Sequence, residues 1–137
     1  MNKILVTGGL GYIGSHVVVE LQKMGFEVVI IDDLSNSSLE VLDRIEEITC
    51  IKPGFEKIDL KEKHDVARFF NRHADLDGII HFAASKAVGE SVNNPLKYYE
   101  NNINSLVYLL EELNKLDSPK LVFSSSCTVY GQAGMLP

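Results

Sequence analysis

The sequence predicts an α/β domain with a doubly wound parallel sheet of about five strands. Short, uninterrupted apolar runs recur along the chain, and amphipathic helical segments alternate with them. A glycine-rich loop joins the first apolar run to the first helix. Continuous apolar strands are buried on both sides, and right-handed crossovers then leave few topologies. We therefore expect helices on both faces of one sheet.

The apolar periodicity places each element in order. Ile4–Val6 begins the sheet, and Gly25 marks the end of the first helix, where a left-handed residue is favoured. A long helix should run from about Pro95 to Leu116. Its apolar face is expected to carry Leu96, Tyr99, Ile103, Leu106, Leu110 and Leu113. The other strands are expected at Val28–Ile31, up to Ile58, at Ile79–Phe82 and at Leu121–Phe123, and the other helices over Ile13–Leu21, about Leu39–Ile48 and around Val66–Phe70.

Composition narrows the classes of function. The chain has 137 residues, 45% hydrophobic and 23% charged, which is typical of one globular domain. Its formal net charge of −6, with scattered basic residues, disfavours nucleic acid and anionic membranes as partners. Cys50 and Cys127 match neither a disulfide framework nor a metal site, and no signal peptide or membrane helix is evident. A cytoplasmic protein is expected.

Histidines give no sign of a metal site. His16, His64, His73 and His81 are dispersed without paired-ligand spacing. We expect them on the surface or hydrogen-bonded in the core.

The loop Thr7–Gly14 carries the strongest functional signal. It reads Gly-x-x-Gly-x-x-Gly between a buried strand and a helix. Gly8 would permit the turn, Gly11 would let a pyrophosphate approach, and Gly14 would let helix and strand pack closely. The helix N-terminus would then face the phosphates. This context indicates a Rossmann-type dinucleotide site, although a glycine-rich turn without a ligand is the alternative.

Asp32 follows Gly14 by eighteen positions and ends the second strand, where a carboxylate can bind the adenosine ribose. Asp33 adds negative charge and no arginine is near to neutralise a 2′-phosphate, so NAD is favoured over NADP. An aspartate capping the next segment is the alternative.

Further candidates follow the later strands. Lys86, in the segment Phe82–Lys86, could meet a phosphate or remain a solvated lysine, and the hydroxyls of Ser124–Thr128 could position a substrate or cap a turn. On spacing alone, Asp59 is best explained as a helix cap and Asn101 as a surface residue.

Residues 7–16, Thr-Gly-Gly-Leu-Gly-Tyr-Ile-Gly-Ser-His, resemble the opening of the extended short-chain dehydrogenase/reductase family. Three further segments narrow the resemblance to the UDP-sugar 4-epimerases of that family: 32–37, 82–91 with Lys-Ala-Val-Gly-Glu-Ser, and 98–102. The segment 123–131, Phe-Ser-Ser-Ser-Cys-Thr-Val-Tyr-Gly, fits the same pattern. The likeness covers essentially the whole chain.

The resemblance implies transient oxidation of a UDP-sugar at C4 through bound NAD, in an enzyme that pairs as a homodimer. It implies that Ser126 hydrogen-bonds the reacting sugar hydroxyl, and it favours Asp59 and Asn101 as cofactor contacts. The expected cofactor-binding set is Gly8, Gly11, Tyr12, Ile13, Gly14, Asp32, Asp33, Leu34, Ser35, Asn36, Ser37, Asp59, Leu60, Phe82, Ala83, Ala84, Ser85, Lys86, Asn101 and Ser124.

Two departures from the family pattern stand out. No Tyr-x-x-x-Lys pair occurs in the sequence, and Ala84-Ser85 replaces the commoner Gly-Leu. We therefore expect residues 1–137 to form an NAD-binding domain that is incomplete at its C-terminal end, without a substrate domain and inactive alone. The alternatives are another nucleotide-sugar enzyme of the family, a dehydratase or decarboxylase, and a non-catalytic dinucleotide-binding module.

Overall fold

A single parallel sheet organises the computed structural model, which describes residues 2–117 and 120–126. Over those residues the sheet has five strands in the order β3-β2-β1-β4-β5. All neighbouring strands pair in parallel, which confirms the predicted doubly wound sheet. The strands are β1 (Lys3–Thr7), β2 (Glu27–Asp32), β3 (Gly54–Lys57), β4 (Gly78–His81) and β5 (Lys120–Phe123).

Helices cover both faces of the sheet, as predicted. Alternate residues of a strand point to opposite faces, so β1 sends Leu5 into one core and Val6 into the other. The core around Leu5 takes Phe69 and Leu109 from two helices, whereas the core around Val6 takes Val18 and Ile45 from two others. The helices are α1 (Tyr12–Lys23), α2 (Glu40–Thr49), α3 (Lys63–Arg72), α4 (Val88–Asn93), α5 (Pro95–Tyr99) and α6 (Ser105–Leu113).

Helix α1 ends as the sequence predicts. Met24 is its C-cap, and Gly25 follows with φ +86°, a conformation that side-chain-bearing residues rarely adopt. The chain then returns directly into β2.

The predicted long helix differs from expectation in its phase. A π-helical turn, Glu100–Asn104, separates α5 from α6, and α6 ends at Leu113. Leu109 and Leu113 face the core, whereas Leu96 is 80% exposed and Tyr99 is 63% exposed. The single predicted apolar face is therefore wrong. A π turn carries an extra residue, and this rotates the two halves of the helix relative to each other.

The later part of the chain contains one helix that was not predicted and an exposed edge strand. Helix α4 is a short element that the apolar pattern did not predict. Strand β5 stands at the edge of the sheet in this part of the chain, and its Val122 and Phe123 are more than half exposed. Residues 127–131 of the predicted serine-containing motif, with Cys127, lie outside the described residues.

Candidate dinucleotide-binding site

The carboxyl ends of the strands bring the predicted site residues to one edge of the sheet. Strand β1 lies between β2 and β4, so the chain leaves it towards one side first and later returns to the other side. Thr7 is opposite Ile31 of β2 and opposite His81 of β4. Ligands of open α/β sheets bind outside the strand ends where the strand order reverses. The crevice above β1 and β4 is therefore the candidate site.

The glycine loop is tightly packed against its surroundings. Gly8 has φ +68°, and its N–H donates to the Ile31 carbonyl at 2.8 Å. A Cβ on Gly14 would lie 2.2 Å from the Gly8 carbonyl oxygen, and one on Gly8 would lie 2.8 Å from the Ala83 nitrogen. The turn and the close helix packing predicted for these glycines are both present. A larger residue at either place would push the loop away from the strands.

The N-terminus of α1 has neither a capping side chain nor an acidic residue of its own. Gly11 is the N-cap and has no side chain to accept a hydrogen bond, and the first turn carries no acidic residue. The first four N–H groups of a helix have no intrahelical partner. By contrast, α2 and α3 carry Glu40 and Asp65 in their first turns. Helix α1 therefore presents N–H groups and a positive dipole end to an anion.

Asp32 ends β2 beside this loop and is mostly buried. Its carboxylate accepts from the Leu10 N–H at 3.1 Å, the Leu34 N–H at 3.0 Å and the Ser37 hydroxyl at 2.7 Å. These bonds tie the glycine loop to the loop after β2. A carboxylate has about four lone-pair sites, so the two oxygens retain capacity for a ribose hydroxyl.

The loop after β2 is held in an unusual conformation. Leu34 has φ +63°, which is uncommon for a residue other than glycine, asparagine or aspartate. Asp33 accepts from the N–H and the hydroxyl of Ser35, at 2.8 and 2.6 Å. Asn36 is exposed at the tip. The predicted segment 32–37 therefore forms a fixed rim beside the glycine loop.

The loop Phe82–Lys86 is held from the other side by the π turn. The Asn102 carboxamide accepts from the Ser85 N–H and donates to the Ser85 carbonyl, both at 2.8 Å. Asn101, a predicted cofactor contact, donates to the Asn102 side-chain oxygen at 3.0 Å. The exposed Lys86 follows directly. Sequence reasoning did not single out Asn102, although it ends the segment 98–102 that carries the family resemblance.

A second pair that sequence reasoning missed joins β1 to β4. Thr7 Oγ1 lies 2.7 Å from His81 Nδ1 within the core. Burial lowers the pKa of His81 from 6.5 to about 4, so the imidazole is neutral at pH 7. His81 is therefore one of the hydrogen-bonded core histidines that the sequence analysis allowed, and not a surface histidine.

The remaining predicted residues contribute unequally. Leu60 has its side chain in the core, so only its backbone can face a ligand. Asp59 accepts from the Lys61 N–H at 2.9 Å, so its side chain caps the turn before α3 and not the helix itself, whose N-cap is Glu62. Ser124 donates its N–H to the His81 carbonyl at 3.1 Å, and Ser126 is exposed two residues further on.

Neither a metal site nor a membrane helix was found in the part of the chain that the structure describes. No group of three or more His, Cys, Asp or Glu side chains there could hold an ion. None of the helices there is long and apolar enough to cross a bilayer.

Comparison with protein-family models gives a match to the NAD dependent epimerase/dehydratase family over residues 4–137. The chain belongs to this family. The UDP-glucose 4-epimerase of Neisseria meningitidis serogroup C is 49% identical over 137 residues, and that of Bacillus subtilis strain 168 is 52% identical over 128 residues. The alignments cover 100% and 93% of this chain, but 40% and 38% of those proteins.

Solved structures of family members have the same fold. The UDP-glucose 4-epimerase of Bifidobacterium longum, in complex with NAD+ and UDP, superimposes with a TM-score of 0.93 at 41% identity. The enzyme of Stenotrophomonas maltophila, with bound NAD and formylated UDP-arabinopyranose, gives 0.92 at 45% identity. The matches cover 99% and 100% of this chain and 40% of each of those chains. The sequence therefore spans about 40% of the length of these family members.

Proposed function

We propose that this chain is the NAD-binding part of a UDP-glucose 4-epimerase, which interconverts UDP-glucose and UDP-galactose and so serves galactose metabolism. The similarity to such epimerases over 93–100% of the chain supports this proposal. The sequence has no Tyr-x-x-x-Lys pair, so we expect the chain alone to be inactive. We assign residues 1–137 to the cofactor-binding part, and most of the residues that hold the UDP-sugar to the rest of the longer protein.

The observation that carries the proposal is the junction of β1 with α1. Gly11 and the acid-free first turn of α1 leave an anion site at the strand edge, and Asp32 stands beside it. The residues present fit NAD. The N-terminus of α1 would hold the pyrophosphate, Asp32 would bind the adenosine ribose, and the loop with Lys86 would bind the nicotinamide ribose. When bound, NAD supplies a hydride acceptor and donor for C4 of the sugar.

The serines after β5 are proposed to bind the sugar. Ser124 is anchored through its N–H to the His81 carbonyl at 3.1 Å, next to the crevice. We assign Ser126 to the reacting sugar hydroxyl, which it would orient by hydrogen bonding. In the longer protein, Ser126→Ala should lower kcat and leave NAD binding by the cofactor half unchanged.

The exposed apolar stripe of the long helix is proposed as a homodimer surface. Leu96, Tyr99 and Ile103 are exposed on the outer side of α5 and the π turn. Burial of such side chains contributes about 1.5–3 kcal/mol each. We expect the longer protein to be cytoplasmic and, when purified, to sediment as a dimer. Ile103→Glu should shift it to monomer, whereas Glu100→Gln, at an exposed position, should leave it dimeric.

Calorimetric titration of this chain with NAD tests the cofactor assignment. We expect saturable binding of NAD, weaker binding of NADP, and a loss of at least tenfold in affinity for Asp32→Ala. Asp43→Ala, an exposed aspartate of α2, is the matched control. Thermal unfolding monitored by circular dichroism must show that each variant is folded. Equal NAD affinity in Asp32→Ala and the unsubstituted chain would contradict the assignment.

A non-catalytic dinucleotide-binding module and a dehydratase or decarboxylase are the competing functions. The coding sequence beyond Pro137 distinguishes the non-catalytic module from an enzyme. A Tyr-x-x-x-Lys pair soon after Pro137 supports an enzyme, and a stop codon supports the module. Conversion of UDP-galactose to UDP-glucose by the longer protein would separate the epimerase from the other enzymes.

A further inference from the structure

The ends of β1 and β4 meet through two buried polar side chains that the proposed function does not use. Thr7 and His81 are opposite each other in register, at exposures of 0% and 2%. Their side chains hydrogen-bond at 2.7 Å. Polar groups are expensive to bury, and two apolar residues of similar shape would fill this space without that cost. Packing alone therefore does not account for the pair.

The pair is connected to the backbone of the next loop. Thr7 Oγ1 also accepts from the Ala83 N–H at 3.4 Å, and the Thr7 carbonyl accepts from the Phe82 N–H at 3.0 Å. Ala83 is also the residue that a Cβ on Gly8 would strike. The glycine loop and the loop Phe82–Lys86 are thus in direct contact here, and the Thr7 hydroxyl lies where both loops begin.

On its other side His81 reaches the segment after β5. Its ring stacks on Phe123 with centroids 5.8 Å apart and an interplanar angle of 21°. Its carbonyl accepts from the Ser124 N–H at 3.1 Å. His81 therefore ends β4 and contacts the ends of β1 and β5, and each of these strands leads into a predicted part of the site.

We propose that His81 is a positioning residue which, through Thr7, sets the spacing between the glycine loop and the loop Phe82–Lys86 and thereby the affinity for NAD. This inference rests on the proposed NAD-binding function. The imidazole does not need to touch the cofactor, because it acts on the two loops that do. Loops held in their bound conformation bind a ligand more tightly than loops that must be ordered on binding, so we expect loss of the pair to weaken NAD binding at least tenfold.

The double variant Thr7→Val/His81→Phe separates positioning from stability. Replacing both partners of a buried hydrogen bond by apolar groups of similar shape is nearly neutral for folding, and the only further change among the described residues is loss of the acceptor of the long, 3.4 Å bond from the Ala83 N–H. We therefore expect an unfolding midpoint close to that of the unsubstituted chain, but an NAD dissociation constant raised at least tenfold in calorimetric titration. Unchanged NAD affinity in a folded double variant would overturn the inference.

Conservative single variants keep the test open if the double variant does not fold. Thr7→Ser keeps the hydroxyl and should retain NAD affinity, whereas Thr7→Val should lose it and expose the Ala83 amide to faster hydrogen exchange. Equal losses in Thr7→Ser and Thr7→Val would refute a role for the hydrogen bond. His64→Asn, at an exposed position of α3, is the matched histidine control. An unsubstituted, folded chain that binds no NAD would overturn the proposed function itself, and this inference with it.

Discussion

Lowering the pH from 7 to 4 is expected to destabilise the chain through His81. The imidazole is buried beside Thr7, and burial lowers its pKa from 6.5 to about 4. In the unfolded chain the same imidazole titrates near its usual value. Between these two pKa values the unfolded state binds a proton that the folded state does not, so the free energy of unfolding falls as the pH falls.

The size of the effect follows from the interval between 6.5 and about 4. At about 1.4 kcal/mol per pKa unit, full protonation of the unfolded state removes about 3 kcal/mol. The contribution is complete above pH 6.5, declines through the acidic range and is lost near pH 4. Since small domains are stable by about 5–15 kcal/mol in total, the loss is readily measured.

Urea unfolding monitored by circular dichroism at half-unit pH steps provides the assay. Thr7→Val/His81→Phe is the reference, because it has no imidazole at this place and no unpaired hydroxyl. Glu90 also makes stability depend on pH, because hydrogen bonds from Lys97 and Tyr98 lower its pKa from 4.5. Its contribution to the free energy of unfolding changes only at the acidic end of the range. Parallel stability curves for the two proteins from pH 7 to pH 5 would refute the reasoning.

Two further substitutions test the packing of the site. Gly14→Ala should lower the free energy of unfolding by about 3 kcal/mol and abolish NAD binding, because its Cβ would lie 2.2 Å from the Gly8 carbonyl oxygen. The control is Gly89→Ala, whose Cβ would have no atom within 4 Å, and urea unfolding should show it to be neutral or stabilising. Asn102→Ala should cost about 2 kcal/mol and accelerate hydrogen exchange of the Ser85 amide, since both hydrogen bonds between the Asn102 carboxamide and Ser85 are lost. Asn104→Ala, at an exposed position, is its control, and unchanged exchange at Ser85 would contradict the role of Asn102 in holding the loop Phe82–Lys86.

The sheet could be predicted from the sequence because its signals are local. The run Ile4–Val6 is uninterrupted, β-branched residues dominate Val28–Ile31, and glycines follow where the chain must turn. Each of these features acts within a few residues. The same holds for Gly14, whose small size is needed against the neighbouring loop, and for Asp32, whose place at a strand end brings its carboxylate against the glycine loop.

The phase of the long helix could not be predicted in the same way. Counting from Leu96 with an α-helical period places Leu106 and Leu110 with it, but the π turn at Glu100–Asn104 breaks that count. The turn also puts Asn102 against Ser85, seventeen residues earlier in the chain. A single inserted residue within a helix leaves no composition signal, so the error was in the periodicity and not in the existence of the helix.

The pairing of Thr7 with His81 depends on sheet register and not on local pattern. The residues are 74 positions apart, and they meet only because β4 returns beside β1 after the chain has built β2 and β3 on the other side. Read locally, a histidine at the end of an apolar strand is only a candidate for burial. The same strand order that places the crevice at the end of β1 also determines which buried side chains lie beneath the loops of the crevice. Residues that position the proposed site are therefore predictable only after the topology is known, whereas the glycine loop proposed to bind the ligand can be recognised before it.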